Sequence, residues 1–101
     1  MILYNVTVSL DETIENQWLE WMKEEHIPEV MSTGLFLDKK IFRLLSHEQD
    51  GAISYAIQYF AESVELIQIY QEKHAAVLQE KHDVKFKDRF VAFRTMLEEV
   101  V

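Results

Sequence analysis

Phe90-Val91-Ala92-Phe93-Arg94-Thr95-Met96-Leu97 is apolar on both faces of an extended chain, with Val91, Phe93 and Leu97 alternating with Phe90, Ala92 and Met96. A strand of this kind needs cover on both sides, because a contiguous apolar patch left in water marks an interaction surface. The residues before it supply one cover. Ser63 suits the N-cap of a helix, and Leu66, Ile67, Tyr70, His74, Val77 and Leu78 keep a helical period before the pattern frays beyond Lys81. A charged segment, residues 83–89, joins this helix to the last strand.

Further out, residues 52–60 alternate, with Ile53, Tyr55, Ile57 and Tyr59 on one face and Ala52, Ser54, Ala56 and Gln58 on the other. The Asp50-Gly51 pair readily takes the positive φ angles of a tight hairpin, so residues 37–45 are expected as an antiparallel neighbour. Residues 2–10 also alternate and form the first strand. Asp11 is placed to N-cap a helix, with Glu12 and Glu15 in its first turn, where the positive end of the helix dipole favours carboxylates. Ile14, Trp18, Trp21 and Met22 fall on one stripe of that helix. Pro28 biases Ile27 away from helical angles, so the helix is expected to end near His26, with room for a further turn to Met31.

The order is β, α, β, β, α, β. It defines an α+β, ferredoxin-like fold: a four-stranded antiparallel sheet with both helices on one face and the first and third strands at its centre. The second face is then bare, and a homodimer packed sheet against sheet is its simplest cover.

At 101 residues the chain makes a single domain, residues 1–101. Almost half of its residues are hydrophobic and only three are Gly or Pro, which excludes a disordered or low-complexity protein. A net charge of -8 disfavours nucleic acid and anionic membranes as partners. The absence of cysteine excludes disulfides, thiolate metal sites and a cysteine nucleophile. No run is long and apolar enough to cross a membrane as a helix, and Met1 to Asn5 lack the basic region of an export signal, so a cytoplasmic location is expected.

With Tyr4, Val6 and Val8 facing the helices, Asn5, Thr7 and Ser9 face the bare side, as do Ser54, Ala56 and Gln58. Phe42, Leu44 and Phe60 add an apolar rim. A small polar centre inside such a rim is the lining of a small-molecule cavity, or equally of a wetted dimer interface. Arg94, on the face of Phe90, Ala92 and Met96, needs a carboxylate from a ligand or from the protein itself. Asn5, Thr7, Gln58 and Arg94 are the candidate contacts for a small carbonyl or carboxylate compound. His26, at a helix C-terminus, is a candidate acid-base residue, and Glu25 is its candidate partner. Glu25 projects near the middle of the buried stripe, where a carboxylate needs pairing with His26, His82 or Arg94. No cofactor or metal is expected. The histidines lack zinc spacing, and the two glycines, Gly34 and Gly51, form no phosphate loop.

Three stretches carry a resemblance: Tyr4-Asn5-Val6-Thr7-Val8, the run from Trp18 to Met31 with its Glu24-Glu25-His26-Ile27-Pro28 end, and Phe90 to Glu98. Over essentially the whole chain they resemble a bacterial family, the domain of unknown function numbered 4286. More distantly the chain resembles the dimeric α+β barrel superfamily, in which two ferredoxin-like subunits close their sheets into a shared barrel around small cavities. That superfamily includes cofactor-free monooxygenases, lactone isomerases, ether-degradation proteins and ligand-sensing domains. His26 and Pro28 match the His-x-Pro at the end of the first helix in the ether-degradation branch, and Glu29 departs from it.

Three functions fit these residues. One is a homodimer that binds a small carbonyl or carboxylate compound in a cavity on the open sheet face. The second is a cofactor-independent enzyme, an isomerase or monooxygenase-like protein, with His26 as acid or base. The third is a dimeric structural or interaction module without a pocket.

Overall fold

The computed structural model describes residues 1–46 and 51–101. Strands β1 (Ile2–Asp11), β2 (Asp38–Arg43), β3 (Ala52–Ala61) and β4 (Phe90–Glu98) form one sheet in the order β2-β3-β1-β4. Every neighbouring pair is antiparallel, and β1 and β3 are central as expected. Alternation sets the two faces. Ile2, Tyr4, Val8 and Leu10 of β1 and Ile53, Tyr55, Ile57 and Tyr59 of β3 are buried under the helices in one core. Burying each of these large side chains contributes about 1.5–3 kcal/mol.

The first helical layer starts where Asp11 predicts. Its Oδ1 accepts from the Thr13 backbone N–H at 2.9 Å and from the Thr13 hydroxyl at 2.8 Å. A short 3₁₀ turn, Glu12–Ile14, leads into α1 (Glu15–Trp21), and the chain stays helical through α2 (Ile27–Met31). Between them, Met22–His26 is a wide turn in which the Ile27 N–H bonds to the Met22 carbonyl, five residues back. Ile27 is therefore helical (φ -60°, ψ -45°) despite Pro28 after it. A proline ring crowds the carbonyl four residues earlier, here Glu24 inside the wide turn, where the usual ladder is already open. Gly34, at φ +75°, then turns the chain out of the layer.

The wide turn also resets which side of the helix faces the sheet. The buried positions step from Trp18 to Met22 by four, then to Ile27 by five, then to Val30 by three. An unbroken α-helical count puts Glu25 near the buried stripe, whereas the extra residue rotates it into solvent. The expectation that Glu25 needs a buried partner is corrected by that rotation.

Ser63 caps the second layer as predicted, its Oγ accepting from the Leu66 N–H at 3.4 Å. This layer is two helices, α3 (Val64–Lys73) and α4 (Ala75–Lys85), broken at His74 (φ -126°, ψ -34°). The break exposes Val77, which a single helix would bury, and α4 runs past Lys81 so that His82 and Phe86 enter the core. The predicted turn before β3 falls on residues 47–50, which lie outside the described residues; Gly51 carries the expected positive φ, +79°.

Candidate functional site

A cavity of about 30 Å³ lies between the sheet and the helices. Its polar lining comes from β1 (Tyr4), the wide turn (His26), β3 (Tyr59), α3 (Tyr70), α4 (Gln79, His82) and β4 (Arg94). That volume admits one or two waters. The aromatic rings that line it belong to two packed groups. Tyr4, Phe36, Tyr59 and Tyr70 pack with ring centroids 5.1–6.3 Å apart at one end. Trp18, Trp21, His26, His82, Phe86 and Phe90 pack at the other.

Trp18 is wholly buried, and its indole N–H donates to His82 Nε2 at 2.9 Å. An acceptor nitrogen carries no proton, so the neutral ring holds its proton on Nδ1, 3.6 Å from Asp83 Oδ1. Burial pushes the His82 pKa down, against the pull of the Asp83 carboxylate. His26 stacks on Trp21 at 5.2 Å, and its ring centre lies 5.9 Å from that of His82. Burial, reinforced by His82 and Arg94, brings the His26 pKa down to about 4, with Glu29 opposing. Both histidines are neutral at pH 7, and Arg94 is the one fixed charge on the cavity among the described residues.

Arg94 sits opposite Val6 on the helix side of β4, at the exposed edge of the sheet. It lines the cavity with the Tyr4 side chain, as does Gln79. Burial raises the Tyr4 pKa, and Arg94 works against that rise. The phenols of Tyr59 and Tyr70 are pushed up by burial and stay protonated donors. Among the described residues no carboxylate lies within 4 Å of the Arg94 guanidinium.

The sequence candidates therefore separate. Asn5, Thr7 and Gln58 lie on the open face, as their register with β3 and β4 requires, whereas Arg94 is on the opposite face and cannot share a cavity with them. Asn5 is buried there, because its Nδ2 donates to Thr7 Oγ1 at 3.0 Å and Thr95 Oγ1 at 3.4 Å. His26 and Arg94 line one cavity, and Glu25 is turned away from it into a solvent groove between the helical layers. The sequence reading passed over Tyr4, Tyr70, Gln79 and His82 as lining residues. The spacing of Leu78, His82 and Phe86, four apart, was the signal for the last of these.

Among the described residues no three His, Cys, Asp or Glu side chains cluster as a metal site, and no helix is long and apolar enough to cross a membrane.

The architecture is that of ferredoxin-like α+β proteins. A dimeric ferredoxin-like protein from an uncultured marine organism superposes with a TM-score of 0.65 at 14% identity, over 100% of this chain and 99% of that one. An ethyl tert-butyl ether d (EthD) family protein of Bacillus halodurans gives 0.66 at 14% identity, over 99% of this chain and 100% of that one. MhuD with two manganese protoporphyrin IX molecules bound per active site gives 0.69 at 14% identity, over 100% and 96%. At such identities the likeness is one of fold. No curated protein matches the chain. The family model for the domain of unknown function DUF4286 matches residues 1–100, and the chain belongs to that family.

Proposed function

We propose that this chain is a single-domain, cytoplasmic homodimer that binds a small carboxylate or carbonyl compound in the cavity between helices and sheet, with Arg94 as the anion anchor. The observation behind this reading is the guanidinium with no carboxylate within 4 Å among the described residues, set at the edge of an otherwise uncharged cavity. An arginine placed against aromatic walls gains most from a planar, bidentate acceptor. Tyr4, Tyr70 and Gln79 add donors for the same oxygens, and the neutral His26 adds a donor or an acceptor. A cavity of about 30 Å³ is smaller than a carboxylate with any substituent, so binding moves side chains at the exposed edge of β4. The open faces of two copies pack together, which covers Phe42, Val91, Phe93 and Leu97, exposed by 49%, 69%, 62% and 46%. Dimeric ferredoxin-like proteins of similar fold support that assembly.

Binding is favoured over acid-base catalysis on electrostatic grounds. With a pKa of about 4, His26 is imidazolium in on the order of one molecule in a thousand at pH 7, so it is a poor acid and a weak base in the free protein. The enzyme reading is kept as the second, because an anion bound beside Arg94 raises that pKa toward the working range.

Calorimetric titration of acetate, pyruvate and benzoate into the wild type and Arg94→Gln tests the proposal. Saturable binding of at least one of them to the wild type, weakened tenfold or more in the variant, supports it. Binding to neither protein, or equal binding to both, overturns it.

A further inference from the structure

Two histidines line the cavity with Arg94, and their bonding differs. His82 is committed. Its Nε2 accepts the Trp18 indole N–H at 2.9 Å, and Nδ1 lies 3.6 Å from Asp83 Oδ1. A second proton on that ring would displace the indole N–H, and Trp18 is wholly buried, so its donor would lose its only partner. His26 is uncommitted. Its ring is held by stacking on Trp21 at 5.2 Å, yet among the described residues no group bonds to either of its nitrogens. A proton can be added there without breaking a hydrogen bond.

The surroundings of His26 keep it neutral in the free protein. Burial is the main cause, and His82 and Lys81 on α4 and Arg94 on β4 also oppose the imidazolium. Glu29 on α2 favours it, but its Oε2 is already paired with Lys81 Nζ at 2.8 Å. Glu24 and Glu25, its neighbours in the wide turn, are exposed. The phenols of Tyr4 on β1, Tyr59 on β3 and Tyr70 on α3 line the same cavity and carry no charge at neutral or acid pH. A carboxylate held by Arg94 shifts this balance in two ways. It neutralises the guanidinium that opposes the imidazolium, and it offers an acceptor to a His26 N–H that has none. Burial still disfavours the charge, so the change falls on the acid side of neutrality.

We propose that the cavity takes up its carboxylate together with a proton, which is added to His26, so that binding tightens as pH falls. This inference rests on the anion site proposed above and adds the protonation state in which that site is filled. Linkage sets the direction: a ligand that raises the proton affinity of His26 is itself bound more tightly when protons are more abundant. The gain levels off once the free protein is protonated as well, near pH 4. His82 stays neutral throughout, because Trp18 holds its Nε2.

Calorimetric titration of acetate, pyruvate and benzoate at pH 7.5, 6.5 and 5.5 tests it, each in two buffers of different ionisation enthalpy, because the buffer dependence of the heat counts the protons taken up. After correction for the ligand's own ionisation, at least one of the three is expected to bind about threefold or more tighter at pH 5.5 than at pH 7.5, with about half a proton or more taken up per site at pH 5.5. His26→Gln is expected to abolish both the slope and the uptake. Imidazole nitrogen-15 shifts of the wild type with the same compound are expected to show His26 doubly protonated and His82 still carrying its proton on Nδ1 alone, and this reading does not depend on the variant. Equal affinity across the pH range, uptake that persists in His26→Gln, or protonation found on His82 overturns this inference and leaves Arg94 as the anchor. Absence of saturable binding of all three compounds at every pH overturns the anion site itself.

Discussion

The two faces of this sheet are built from the same strands by the same alternation, yet they are opposite surfaces. On the helix side, large aromatics from β1 and β3 pack with Trp18, Ile67 and Tyr70 into a closed core, and the polar atoms left inside gather at one small cavity. On the open side the centre is small and polar, with Asn5 bonded to Thr7 and Thr95, and the large apolar groups stand at the edges on Phe42, Val91, Phe93 and Leu97. The first surface is finished within one chain. The second leaves large apolar side chains exposed around a polar centre. Stability is thus concentrated on one face, and the proposed association falls to the other.

Removing Trp18 should give the sharpest contrast. Trp18→Ala leaves a large void and strips His82 Nε2 of its donor, so urea unfolding should show a loss of about 3–5 kcal/mol. A loss under 1 kcal/mol would mean that the helix-side core is not the seat of stability. Acid comes next. Because the His26 pKa is lower in the folded chain than its unfolded value of 6.5, the unfolded state takes up the proton first. Stability is therefore complete above pH 6.5 and declines as pH falls toward 4, by about 2 kcal/mol after allowance for partial exposure. His82, also shifted down, acts in the same direction. His26→Gln should flatten this slope between pH 7 and 4.5 relative to the wild type, and equal slopes would refute the buried, neutral imidazole.

On the open face, Phe93→Ser should leave monomer stability within about 1 kcal/mol while raising the dimer Kd about thirtyfold by sedimentation. The reverse pattern, lost stability with intact association, would make Phe93 a core residue and erase the contrast between faces. The smallest effect is expected at Gly51. A Cβ there meets nothing within 4 Å, yet φ is +79°, so Gly51→Ala should cost about 1 kcal/mol through backbone strain alone, read by thermal unfolding with the dimer Kd unchanged.

The strands, their order and the sidedness of Tyr4, Val8, Ile57 and Tyr59 were legible because a period of two is short and survives without tertiary help. The caps at Asp11 and Ser63 were legible for the same reason: each acts within three residues. The helices were read less well. One extra residue in the turn before Pro28 rotates everything after it, which moved Glu25 outward and Ile27 inward, and the five-residue apolar step from Met22 to Ile27 was the trace it left. The break at His74 exposed Val77 and leaves no such trace.

By itself, then, the chain's pattern determined a four-stranded sheet with helices on one face, the bare second face, and membership in a family matched from residue 1 to 100. These follow from local periodicity and turn chemistry. Tertiary structure decided which side chains share a cavity. Arg94 joined His26 and Tyr4 rather than Asn5 and Gln58, because the pairing of β4 with β1 fixes its side of the sheet and a shift of one residue would reverse it. It also decided the charge on the histidines, which depends on burial and on a tryptophan 64 positions away in the chain.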